Sequence, residues 1–329
     1  MKRILTWLIK IAISTLLMGI LLRRFGLGKV ADVMGQGRIM ETGLAVLVLF
    51  ASHVLGSVQW WILLRNDGID IPWRQCLSFY FVGLFFNNFL ISQVGGDMFR
   101  MVDVKRYSSK GASAVSSVFV DRMLGLFVMS SMTVLTAPWL FFQESINRKF
   151  LIPIALLVAG WLFILFILFN KKAARPFARL LDRLSGRLVS RGRDVYENIH
   201  RFGNRGKWLF WPVALSIVVQ SLRILTHYFL GLAVGIHVSL IYYFMFIPVV
   251  AIMASLPVSL GGLGMREQSG VVLFGLTGVV AVQATAMELM AYIISVFTTI
   301  PGGIVFIFRK KIAPALSVSE SRVGCQEVL

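Results

Sequence analysis

Residues 90–100, LISQVGGDMFR, are echoed at 256–267 by LPVSLGGLGMRE. Leu90, Gly95, Gly96 and Arg100 each stand 166 positions before Leu256, Gly261, Gly262 and Arg266, half the length of a 329-residue chain. Glycine has no Cβ and proline, here Pro257, has no backbone donor, so such segments either free backbone polar groups or let helices approach closely. Close packing accounts for either pair taken alone. Recurrence at matching positions of two halves instead points to broken or re-entrant helices in an internal, inverted repeat, the pattern that marks the binding site of many transporters.

The rest of the chain fits that frame. Hydrophobic residues make up 57% and charged residues only 15%, with a mean hydropathy of +0.79, which excludes an ordinary soluble domain. The expected fold is an all-α polytopic integral membrane protein with about 7–9 transmembrane helices. A net charge of +18 raises nucleic acid as a partner. However, the basic residues fall between long apolar runs, as the positive-inside rule requires, so nucleic acid is not expected. Cys76 and Cys325 have neither metal-site spacing nor the number needed for a disulfide framework. No metal and no cofactor is expected.

A crossing needs about 20 apolar residues. The N-terminal MKRILTWLIKIAISTLLMGILLRR runs into Arg23 and Arg24 without a cleavage site and reads as a retained first span. Further segments fall near 42–64, 75–93, 112–142, 149–169, 208–231, 240–257 and 279–308. Half one is expected at about 1–169 and half two at about 208–308. Between them lies a basic loop at 170–207 with eleven Lys or Arg against three acids, expected in the cytoplasm. Arg175, Arg179, Arg183, Arg187 and Arg191 recur every four residues there, which suits either a solvated helix or one resting on anionic headgroups. The tail at 312–329 follows Arg309, Lys310 and Lys311 and is expected on the same side. Loop and tail on one side demand an even number of crossings between them. Either a crossing hides around 264–280 or one segment enters and leaves on the same side.

Three ordered stretches, NNFLISQVGGDMFR, ASAVSSVFVDRMLGL and LPVSLGGLGMRE, resemble the transmembrane region of lysylphosphatidylglycerol synthases, also called the flippase-like domain family. The likeness covers about residues 5 to 310, so the transmembrane domain is expected over about 1–311. It implies a protein that moves a lipid between leaflets. The aminoacyl-transferase domain of the bifunctional members has no counterpart in the roughly 20 residues after the last span, which implies a stand-alone member. Ile91 stands where the family's first motif usually has proline, so the two halves need not be equivalent.

A charge near the bilayer centre costs at least about 2.5–3.5 kcal/mol and generally faces a cavity or a partner. Asp121 and Arg122 are adjacent in a helix and point about 100° apart, so each needs another partner. One reading is structural contacts; the other has Arg122 on a lipid phosphate and Asp121 holding Arg100 or Arg266. Arg223 and His227 share a helical face with Gln220, which suits a polar path or interhelical hydrogen bonds. Glu267 follows Arg266, and Glu288 is a counter-charge to Arg223 or a proton-coupling site. His53 suits an interhelical contact.

The expected function is a lipid flippase of the inner membrane that binds an anionic headgroup between two halves. Backbone donors near Gly95, Gly96, Gly261 and Gly262 would hold phosphate oxygens, with Arg100, Arg122 and Arg266 supplying positive charge. Asp97, Asp121 and Glu267 would orient those arginines or meet a cationic substituent. Expected partners are a membrane phospholipid or polyprenyl-linked lipid, with anionic headgroups at the basic loop and homo-oligomerisation left open. No catalytic residue is assigned, because no GxSxG, HExxH or GxxxxGK[ST] motif occurs. Two alternatives stand: a membrane-embedded transferase acting on a polyprenyl-phosphate or glycolipid, with Asp97 or Asp103 as base, and a non-transporting accessory subunit.

Overall fold

The computed structural model describes residues 27–89, 94–142, 160, 206–255 and 262–309. The N-terminal span, the 149–169 segment, the basic loop, Pro257, Gly261 and the tail lie outside them. Within the described residues there are nine α-helices and no strand. They are α1 Leu27–Gly35, α2 Ile39–Asn66, α3 Trp73–Phe89, α4 Val94–Ser108, α5 Gly111–Thr136, α6 Gly206–Ala233, α7 Leu240–Ser255, α8 Met265–Gly275 and α9 Ala281–Phe308, with a 3-10 turn at Ala137–Phe142 after α5.

Apolar runs of 26 to 28 residues make α2, α5, α6 and α9. At 1.5 Å per residue they reach about 39–42 Å, enough to cross a bilayer core of about 30 Å. All four are apolar enough to do so. Their outward faces carry Leu47, Phe50, Phe127, Phe210, Ile293 and Phe297, all exposed, as a surface solvated by lipid requires.

Of the remaining helices, α1 packs on α9 and the other four form two hairpins. In the first, α3 and α4 run antiparallel: Phe86 stacks on Phe99 at 4.0 Å and Phe79 meets Tyr107 at 6.5 Å, so positions pair in opposite directions. In the second, α7 and α8 do the same, with Tyr243 and Phe246 both against Phe274. The expected segments 75–93 and 240–257 are thus the first arms of hairpins. The segment near 264–280 holds α8, whose 11 residues reach about 16 Å and are too short to cross. Among the described residues, four helices, α2, α5, α6 and α9, are long and apolar enough to cross, and α8 is not one of them.

Adding 166 to the bounds of α2 gives 205–232, against 206–233 for α6; adding it to α3 gives 239–255, against 240–255 for α7. Packing follows the same exchange. The most extensive helix contact joins α2 to its counterpart α6, while α3 packs on α9 and its counterpart α7 on α5. The Arg38 N–H at the start of α2 donates to the Ala233 carbonyl at the end of α6, so these two helices are antiparallel. Counterpart helices that run in opposite directions are the mark of an inverted repeat.

Two glycines set the hairpin geometry. Gly96 lies so close to α3 that an added Cβ would collide with the Gly83 carbonyl oxygen and sit 2.6 Å from Asn87 Oδ1. Gly262 has φ +82°, a left-handed conformation suited to glycine, and an added Cβ would sit 2.8 Å from that of Ala254.

Candidate functional site

The first motif opens α4, with Gly95 and Gly96 in its first turn. The Gly96 N–H donates to Asn87 Oδ1 at 2.9 Å, which ties the start of α4 back to α3. One turn on, Asp97 and Arg100 face Asp121 and Arg122 of α5. Arg122 grips Asp97 with two hydrogen bonds, Nε to Oδ2 at 2.7 Å and a terminal nitrogen to Oδ1 at 2.9 Å. Arg100 donates to Asp121 Oδ2 at 2.9 Å and lies 3.4 Å from Asp97. Gln59 of α2 completes the row by donating to Asp121 Oδ1 at 3.1 Å. Two acids and two bases alternate, so the tetrad is neutral as a unit, which offsets the desolvation of each member.

Arg100 is the most enclosed of the four, 1% exposed. Its guanidinium carbon sits 4.1 Å from the Trp60 ring centroid and 4.7 Å from that of Tyr80, between two π-faces. Gly83 makes room for its stem, since a Cβ there would lie 2.5 Å from Arg100 Cγ. The adjacent Asp121 and Arg122 each take a hydrogen-bonded partner from α4, Arg100 and Asp97 respectively.

The second motif is built differently. Gly262 and Gly264, with φ of +82° and +84°, form a turn before α8 rather than its first residues. Glu267 folds back so that its carboxylate accepts the Gly264 N–H at 2.6 Å, fixing the helix start. The Gly96 and Gly264 N–H groups are thus both engaged by side chains within the protein.

Arg266 is 21% exposed, and its Nε lies 4.0 Å from Glu288 Oε2 of α9, an ion-pair distance without a hydrogen bond. His227 Nε2 of α6 lies 3.7 Å from the same oxygen. Glu288 is fully buried, and among the described residues neither of its oxygens has a hydrogen-bond partner. The expected Arg223–Glu288 pairing is replaced by this arrangement: Arg223 turns to Gln220 at 3.4 Å. Gln220 in turn lies against Gly125, one turn beyond Asp121 on α5.

A band of polar residues therefore extends from the tetrad among α2, α4 and α5 to the cluster among α6, α8 and α9, the two meeting where Gln220 of α6 lies against Gly125 of α5. It passes from Asp97, Arg100, Asp121 and Arg122 through Gln220 and Arg223 to His227, Glu288 and Arg266. The tip of the first hairpin is pinned next to it: Asn88 donates to Thr299 Oγ1 at 2.8 Å, accepts from Ser295 at 3.1 Å, and its carbonyl accepts from Tyr292 at 3.2 Å. Tyr292 lies within electrostatic reach of Arg266 and Glu267. His53 makes the expected interhelical contact, 3.3 Å to Thr298. At the far end of α4, Asp103 is buried and hydrogen-bonded to Arg309 after α9.

Trp60, Tyr80 and Asn88 are the parts sequence reasoning missed. Aromatic residues in apolar spans carry no signal that they flank a cation. Gln59, a polar side chain inside GSVQWWILL, does carry one, because an amide in a span needs a partner.

Comparison with known proteins agrees with this architecture. The family model described as the lysylphosphatidylglycerol synthase TM region matches residues 7–302. A UPF0104 membrane protein of Pyrococcus horikoshii is 24% identical over 330 residues, covering 92% of this chain and 97% of the relative. A UPF0104 membrane protein of Methanothermobacter thermautotrophicus is 22% identical over 301 residues, covering 85% and 89%. The chain is a membrane protein that belongs to the lysylphosphatidylglycerol synthase transmembrane-region family.

Proposed function

We propose that the protein binds the anionic headgroup of a membrane lipid between its two halves, with Arg266 as the principal phosphate contact, and carries that headgroup across the bilayer. The observation that carries this reading is the inequality of the two motif arginines. Arg100 is enclosed by two carboxylates and two rings, whereas Arg266 is partly exposed and holds its acid at 4.0 Å. A guanidinium offers a planar fork of donors to phosphate oxygens. Arg266 has that capacity in hand, and Arg223, one turn before His227 on α6, is a second cation in the band. The tetrad around Arg100 then serves as the rigid half against which the second hairpin works. The inverted repeat supports transport, because two halves related across the membrane give an alternating-access device around a central site.

Native mass spectrometry of the purified protein tests the binding step. The wild type is expected to retain a phosphate-bearing lipid, and Arg266→Ala to lose most of it while keeping its helical circular dichroism. Equal retention by both proteins would remove Arg266 from the site.

A further inference from the structure

Glu288 poses a problem that headgroup binding alone does not solve. Its carboxyl is fully buried in a long apolar helix, and among the described residues neither oxygen has a hydrogen-bond partner. Gly270 of α8 closes over it, since a Cβ there would lie 2.9 Å from Glu288 Cγ. The titratable groups facing it are His227 from α6, Arg266 and Glu267 from α8, and Tyr243 from α7. Among the described residues, α1, α2 and α3, which also pack on α9, bring no base within ion-pair distance of it.

The chemistry of His227 decides what sits between the two. Its Nδ1 lies 3.0 Å from the Arg223 carbonyl oxygen. A carbonyl only accepts, so Nδ1 carries hydrogen, and the basic nitrogen is Nε2, the atom 3.7 Å from Glu288 Oε2. A base and a carboxyl thus face each other with room for one proton between them. His227 is 18% exposed on its side chain while Glu288 is fully enclosed, so the proton's way in and out is through the imidazole.

Resting on the headgroup reading, we propose that His227 and Glu288 form a proton-binding site linked to Arg266, so that a negatively charged headgroup enters together with one proton. Without the proton, the Glu288 carboxylate is the counter-ion of Arg266 and competes with the phosphate for it. When a phosphodiester takes the guanidinium, a proton from water adds to Nε2, and the imidazolium beside Oε2 replaces the lost counter-charge. No bond of the lipid is made or broken. Because linkage is reciprocal, proton binding and anion binding strengthen each other by the same factor, and a transport cycle that releases both on the other side can draw on a proton gradient.

The test is calorimetric titration of the full-length protein in detergent with dihexanoylphosphatidylglycerol, repeated in two buffers of different ionisation enthalpy. Its phosphodiester does not itself titrate near neutral pH, so proton uptake reports the protein. The wild type is expected to take up about one proton per bound lipid, with affinity falling up to about tenfold per pH unit on the alkaline side. Glu288→Gln should bind with no uptake and no pH dependence. Wild-type binding without proton uptake overturns the coupling and leaves the headgroup reading standing, and so does uptake that persists in Glu288→Gln. No binding by the wild type overturns both. The wild-type stoichiometry decides the matter even where the variant fails to fold.

Discussion

Replacing Arg100 with methionine removes a buried cation while leaving its acid in place. Asp121 would keep only the Gln59 amide, and Asp97 would keep Arg122. Breaking a buried ion pair from one side costs about 3–5 kcal/mol, because the remaining charge is uncompensated. At about 1.4 kcal/mol per decade, that is roughly two to four decades in the unfolding equilibrium. The loss of two cation–π contacts acts in the same direction. The same change at Arg266, whose contact with Glu288 is longer at 4.0 Å, is expected to cost less than Arg100→Met, because a proton bound with His227 offsets the buried Glu288 charge. Unfolding by sodium dodecyl sulfate in mixed micelles, followed by circular dichroism, measures both. Adding Asp121→Asn to Arg100→Met should restore at least half of the loss, since a neutral pair leaves no buried charge. If Arg100→Met unfolds at the wild-type midpoint, or if Arg266→Met is the more damaged of the two, the division into a structural and a functional arginine is wrong.

Two further outcomes follow from packing. Gly96→Ala should prevent the first hairpin from closing, because the new methyl meets the Gly83 carbonyl oxygen; a loss of about 3 kcal/mol or more in the same assay is expected, and an unchanged midpoint would show that α3 and α4 are not in contact there. Asp103→Asn weakens the contact between the end of α4 and the residue after α9. Arg309 is partly exposed, so the loss should stay near 1–2 kcal/mol, and hydrogen exchange should speed up in the last turns of α9 ahead of the rest of the helix.

Much of the architecture was legible in the sequence because it is written in hydropathy and glycine spacing. The segments 42–64, 112–142, 208–231 and 279–308 lie on the four long helices. The 166-residue echo, visible in the sequence only at the two motifs, extends to the bounds of α2, α3, α6 and α7. Side-chain identity hides that extension: Asp97 corresponds to Leu263, Asp121 to Met287 and Arg122 to Glu288. The halves share helix lengths and backbone breaks, while their charges have been placed independently.

The site was legible in its membership more than in its pairing. Asp97, Arg100, Asp121 and Arg122 do come together, as buried charges in apolar helices must. What the sequence could not indicate is that Trp60 and Tyr80 enclose Arg100, because those contacts join residues 20 to 40 positions apart through tertiary packing. For the same reason the sequence marks both Arg100 and Arg266 as phosphate-facing candidates, and the missing proline at Ile91 signals only that the halves need not be equivalent. In the fold, one is walled in, and the other is left with a loosely held acid.

Lipid movement itself is the most direct measurement. Wild type and Arg266→Ala are reconstituted into vesicles whose fluorescent anionic phospholipid is distributed over both leaflets, and the outer-leaflet fraction accessible to a membrane-impermeant quencher is followed in time. Wild-type vesicles are expected to bring inner-leaflet lipid within reach of the quencher, while the Arg266→Ala vesicles behave like protein-free ones. Wild-type vesicles indistinguishable from protein-free vesicles, with and without an imposed proton gradient, would contradict a role in carrying lipid across the bilayer.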